Sequence, residues 1–173
     1  MNVTSGRSEI RQARLIVHDR FAFLHTIQSI ARQYSTHIIC FNADNMAGLR
    51  HAEAAIRFAQ RSFFSGKPIS NSIEMEALLF AAGSRQCDTA GLFGIHENEN
   101  AIFVCSCPEN ECVWEELSRY MHFVPEIWDE MTPEKEDRIK SLFNITDEEL
   151  ALVGRARIMD LVLERIALLE VYR

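Results

Sequence analysis

Arg50, Arg57 and Arg61 are spaced seven and four apart, so on an α-helix they share one face. Lys67 follows just past the point where that helix should break, and Arg85 comes at the end of the next helical stretch. Five cations on two consecutive helices could line one groove and neutralise several phosphates. Three arginines on one face also describe the solvated side of a surface helix. Between Lys67 and Arg85 the segment "SNSIEMEALLFAAGSRQ" (70–86) reads as one helix with polar ends. Ser70, Asn71 and Ser72 supply hydroxyls and amides at its start, and Asn71-x-x-Glu74 forms a capping arrangement that accounts for Glu74. Glu76 has no such account. Its helical neighbours Ser72, Ile73, Leu79 and Phe80 are mostly apolar, and an unpaired buried carboxylate is costly. Either it finds a cation, with Arg85 the candidate, or it reaches solvent at an edge.

No familiar catalytic set accompanies these residues. The chain lacks G-x-x-x-x-G-K-[ST], G-x-G-x-x-G and G-x-S-x-G, and its six histidines are scattered without an H-E-x-x-H. Cys105-x-Cys107-x4-Cys112 has neither paired C-x2-C knuckles nor spaced histidines, so no metal site is expected. A strand through "AIFVCSC" would place Cys105 and Cys107 on one face as small apolar side chains. Gly91-x-x-Gly94 has the spacing of an RNA-clamping loop without its polar residues, and Gly94 reads better as a helix stop. No cofactor and no catalytic residue are expected.

The elements that must position the cations follow from periodicity. Residues 11–18 alternate, with Ala13, Leu15 and Val17 on one face of a strand. Asp19 can cap a helix carrying Phe23, Ile27, Ile30 and Tyr34. Residues 37–43 are a short apolar strand. A long helix then runs to about Phe64, burying Met46, Leu49, Ala52, Ile56, Ala59 and Phe63. After the break "SGKP" and the helix above come a helix at 88–94, a buried strand at 101–107 and a helix at 110–121. Thr132-Pro133 and the capping box Thr146–Glu149 start two more helices, and the last runs from Gly154 to Arg173. The expected fold is α/β (α+β): one domain over 1–173, a small mixed β-sheet packed with helices, a helical C-terminal part, and a flexible segment at 1–8.

Charge is uneven along the chain. Residues 1–88 carry ten Lys/Arg against seven Asp/Glu, and residues 109–173 carry eight against sixteen, within a net charge of −7. This permits a basic working face and disfavours a generic nucleic-acid coat. With no apolar run of membrane length and no export signal, a soluble cytoplasmic protein is expected, with no membrane partner and reduced thiols. The last helix bears two adjoining apolar stripes, Met159/Val162/Ile166/Leu169 and Ile158/Leu161/Leu168. One stripe suffices for packing against a single domain, so two imply full burial or a protein partner. Met159 and Tyr172 are residue types favoured at interfaces.

Taken in order, His51, Ala59, Phe64, Gly66-Lys67, Ser70 with Ser72, Glu76, Leu78-Leu79 and Arg85-Gln86 resemble the signature of a small accessory subunit of the KEOPS tRNA-modification complex, the Cgi-type or TPRKB-like family in its archaeal form. "FGI" (93–95) and "LVLERIALLEV" (161–171) also match in order, so the resemblance extends from about Leu15 to the C-terminus. "GLFG" (91–94) is poorer in charge than that pattern, and Cys87 stands where an aliphatic residue is usual. The resemblance implies a non-catalytic protein that binds the small atypical kinase/ATPase of the complex directly and its other subunits indirectly. It further implies recruitment of tRNA by the 3′ CCA end for N6-threonylcarbamoylation of adenosine 37. By position, it assigns RNA binding to Lys67, Ser70, Asn71, Ser72, Arg85 and Gln86, and the shared helix face adds Arg57 and Arg61 as candidates for the same role. The partner surface falls to Ile145, Leu150, Val153, Ile158 and Val162. Two alternatives stand beside it: a stand-alone small-molecule enzyme using Glu76 and Arg85, and a generic protein-interaction module.

Overall fold

The computed structural model describes residues 7–171, so the expectations for residues 1–6 and for Tyr172 lie outside the described residues. The strands are β1 (Glu9–Val17), β2 (His37–Asn42), β3 (Asn98–Cys107) and β4 (His122–Val124). The helices are α1 (Arg20–Gln33), α2 (Leu49–Phe64), α3 (Ile73–Ala82), α4 (Cys87–Gly91), α5 (Glu111–Leu117), α6 (Pro133–Phe143), α7 (Asp147–Val153) and α8 (Ile158–Val171). The strands form a sheet in the order β2-β3-β1-β4. The fold is mixed α/β, as the sequence leads one to expect, but every strand pair is antiparallel, so the sheet is not mixed.

Helices cover both faces of the sheet, which explains why β2 and β3 read as near-continuous apolar runs. On one face Ala13, Leu15, Val17, Ile38, Ile102 and Val104 pack with Ile27 and Ile30 of α1 and Val113, Trp114 and Leu117 of α5. On the other, Ile39, Phe41, Phe103, Cys105 and Cys107 meet the larger core built from α2, α3, α6, α7 and α8. Cys105 and Cys107 do share a face, buried in that core, where desolvation raises both thiols above their ordinary range.

Helix ends are set by local chemistry. Asp19 accepts from the Ala22 N–H at 2.9 Å, and Thr132 and Thr146 cap α6 and α7. The α2, α3 and α6 C-termini close through Gly66 (φ +69°), Gly83 (φ +58°) and Asn144 (φ +50°), left-handed positions that end a helix by folding its last amides back. Four boundaries depart from the periodicity. α3 is shorter than 70–86, since Ser72, not Asn71, is its N-cap and Gly83 stops it. α4 ends at Gly91 with Leu92 as its C-cap, so Gly94 is not the stop; a Cβ there would lie 3.4 Å from Leu78 Cδ1. α5 ends at Leu117, and His122–Val124, read as following a helix, form β4 by pairing with Arg14–Gln12. Met46 is buried, but in the turn before α2.

Both α8 stripes pack inward for the most part. Ile158, Leu161, Val162, Ile166 and Leu169 are buried against the main core, while Leu168 is 40% exposed.

Candidate functional site

Lys67 is placed by the end of α2. Gly66 turns the chain in a left-handed conformation, so the Gly66 N–H reaches the Phe63 carbonyl and the Lys67 N–H the Ser62 carbonyl, both at 3.1 Å. These are the two hydrogen bonds of a Schellman closure. Lys67 lies on the exposed side of this turn.

The turn is clamped from below by Glu76. Its side chain is fully buried, yet no cation touches it among the described contacts. Instead, the carboxylate accepts from the Ser62 hydroxyl at 2.6 Å, the Ile69 N–H at 3.0 Å, the Ser70 N–H at 2.8 Å and the Ser70 hydroxyl at 2.9 Å. Four donors converging on a carboxylate replace the water it loses on burial. The expected Glu76–Arg85 pair does not form. Glu76 sits in the first turn of α3 and Arg85 beyond its last, and Arg85 is exposed with no side-chain partner among the described residues.

Clamping consumes part of the polar rim. The Ser70 hydroxyl is committed to Glu76 and the Ser72 carbonyl, and the Ser72 hydroxyl accepts from the Met75 N–H at 3.2 Å as the N-cap. Asn71 is the one of the three serine/asparagine residues left exposed, with no side-chain partner among the described residues. Glu74 is not a capping residue either. It meets His37 Nδ1 at 2.8 Å. Burial alone would raise its carboxyl, but the His37 hydrogen bond and charge leave it below the usual range.

Arg85 and Gln86 lie at the other end of α3, which at ten residues spans about 15 Å. The structure therefore gives two rims, not one compact pocket holding all six residues. At the exit rim a cavity of about 580 Å³ is lined by Ser84, Gln86 and Thr89 together with Asn144, Arg165, Leu142, Phe143 and Leu168. Arg165 is gripped by both oxygens of Glu149, at 2.7 and 2.8 Å. That contact draws Glu149 away from the capping-box role expected of it, although Thr146 still caps α7. Asn144 and Arg165 were not anticipated at this rim, because only tertiary packing of α6 and α8 against the end of α3 brings them there.

No family model matches the chain, and no curated protein matches it.

Arg50, Arg57 and Arg61 are all exposed on one face of α2, as their spacing requires. Two of them are partly balanced by acids of α8: Arg50 lies 3.9 Å from Asp160 and Arg61 3.1 Å from Glu170. Arg57 borders a separate groove of about 420 Å³ with Glu53 and Gln60. Phe64, 81% exposed, stands on the same face between Arg61 and Lys67. Its position was readable: Phe63 belongs to the inward stripe, and the next residue on a helix must point elsewhere.

The residues assigned to a partner surface do not form one. Ile145, Leu150, Ile158 and Val162 are at most 4% exposed and belong to the main core, and Val153 is half-buried against it. Apolar periodicity finds an inward face, and the core claims it. The large apolar side chains that this end presents to solvent are Leu152, Leu168 and Val171. Among the described residues no group of His, Cys, Asp and Glu is placed to hold a metal ion, and no helix is long and apolar enough to cross a membrane.

Proposed function

We propose that the chain is a non-catalytic accessory subunit of a KEOPS-type complex in the cytoplasm. It binds the small atypical kinase of that complex directly, contacts the other subunits through it, and recruits tRNA by the single-stranded 3′ CCA end for N6-threonylcarbamoyladenosine synthesis at position 37. The observation that carries this reading is the ordered run from His51 to Arg85-Gln86, whose polar ends Lys67, Asn71, Arg85 and Gln86 are exposed while the helix between them is largely buried. Single-stranded RNA ends are held by phosphate contacts, by amides and side-chain polar groups, and by stacking, all without bond chemistry. Arg85 suits this task because its guanidinium is charged, planar and free of internal partners among the described residues. The rival enzyme built on Glu76 and Arg85 has its two groups at opposite ends of α3.

Co-expression with the small kinase, followed by an RNA gel shift, tests the proposal. A one-to-one complex is expected. Arg85→Glu should weaken RNA binding at least tenfold while leaving kinase co-purification and the unfolding midpoint unchanged. A wild-type chain that binds neither kinase nor tRNA contradicts the reading, and one that binds the kinase alone reduces it to an interaction module.

A further inference from the structure

We propose that Phe64 is a stacking platform for an unpaired base of single-stranded RNA lying across the α2–α3 turn, a role that rests on the RNA-recruiting function proposed above. Phe64 is the last residue of α2 and is 81% exposed, whereas its neighbour Phe63 packs against the main core. With four- and three-residue spacings, Arg57, Arg61 and Phe64 fall within about 60° of arc on one helix face. The Gly66 turn then places Lys67 just past the ring.

Another aromatic nearby cannot serve. Phe58 is flanked by the Arg57 and Arg61 guanidiniums at 5.8 and 5.5 Å and stacks on Phe80 at 5.4 Å. Phe64 has no ring partner among the described residues, and a side chain so exposed adds little to core stability.

The surroundings select the occupant. Ser65, Gly66, Lys67 and Pro68 follow Phe64 as exposed residues and Arg61 stands exposed one turn before it, so a cation lies on each side of the ring along the chain. A planar ring flanked by cations fits a strand that offers a π-face and a phosphate at each step. Arg57 and Arg61 before the ring and Lys67 after it put a cation on either side for the phosphates that flank a stacked base.

Fluorescence anisotropy of a fluorescein-labelled single-stranded RNA ending in CCA, read with the full chain at several salt concentrations, tests this. Phe64→Ala should weaken binding roughly 5- to 150-fold, the range for losing one base–aromatic stack, and leave the slope of log affinity against log salt unchanged. Phe64→Trp should restore affinity. Lys67→Ala should instead make the slope shallower by about 0.7, as for one lost phosphate contact on a single strand. If wild-type protein binds the RNA and Phe64→Ala binds it equally well, the stacking role is wrong and RNA recruitment stands. If wild-type protein does not bind the RNA, recruitment fails and the stacking role with it. A Phe64→Ala protein that keeps RNA affinity but loses the kinase would make Phe64 a protein contact, overturning the proposal.

Discussion

Replacing Glu76 with alanine would strip two backbone N–H groups and two serine hydroxyls of their common acceptor inside the α2–α3 turn. Unmade hydrogen bonds to buried donors cost about 1–3 kcal/mol each, less where water can enter. Glu76→Ala should therefore lose on the order of 3 kcal/mol in urea unfolding. Amide exchange should accelerate first across residues 67–72; uniform acceleration through the chain would mean that Glu76 does not act on the turn specifically. His51 is a second buried polar residue with a measurable signature. Its Nδ1 accepts from the Ala47 N–H at 3.1 Å, and its Nε2 donates to the Ala81 carbonyl at 2.8 Å, tying the start of α2 to the end of α3. Burial, opposed by the Ala81 hydrogen bond and aided by the Lys135 charge, lowers its pKa to about 4. Above pH 6.5 the imidazole is neutral both folded and unfolded, so it adds no pH dependence. Below that, the unfolded chain takes up the proton first, and stability falls by about 1.4 kcal/mol per pH unit down to about pH 4. Urea midpoints of wild type and His51→Gln measured from pH 7 to pH 4 should converge as the pH drops. A constant gap between the two would contradict this assignment.

At the scale of elements, α2 owes its start to a residue eighty positions away. The Asp129 carboxylate accepts from the Leu49 N–H at 2.6 Å, and a Cβ on Gly48 would sit 2.5 Å from that oxygen at a φ of +151°. Asp129→Ala should cost about 1 kcal/mol, as for a lost N-cap, and Gly48→Ala should cost more because it adds backbone strain to the clash. Thermal unfolding of the two variants checks the order. Long-range caps of this kind leave no periodic trace, which is why the sequence places α2 well and its N-terminus poorly. The same limit hid β4, whose three residues exist as a strand only through pairing with Gln12–Arg14. The long helices and the Thr132 and Thr146 caps were legible because each rests on contacts within a few residues, and β1 to β3 because their apolar runs are long enough to show a pattern although their pairing is distant. The exposed polar rims of α3 were legible too. The Glu76 clamp was not, since its donors come partly from Ser62 on another helix. For the partner surface the lesson is sharper. Ile158→Glu would place a charge in the core and unfold the protein, so it cannot test an interface. Leu152, 88% exposed, can: Leu152→Glu should leave the unfolding midpoint within a degree or so of wild type and weaken kinase co-purification.

Over the whole molecule, a chain with net charge −7 repels RNA on most of its surface. The proposed recruitment would depend on a face supplied by the N-terminal half, where Lys/Arg exceed Asp/Glu, and Asp160 and Glu170 of α8 temper that face beside Arg50 and Arg61. Binding should be salt-sensitive but shallow, with a slope of roughly −2 if three cations meet phosphates on a single strand. Such a face fits a mobile RNA end better than the body of a folded tRNA, whose many phosphates would meet the acidic helices. The most direct measurement is therefore a gel shift comparing intact tRNA with the same tRNA trimmed of its CCA end. The expected result is a complex with intact tRNA that is lost on trimming. Equal binding of the two would contradict recruitment by the 3′ end.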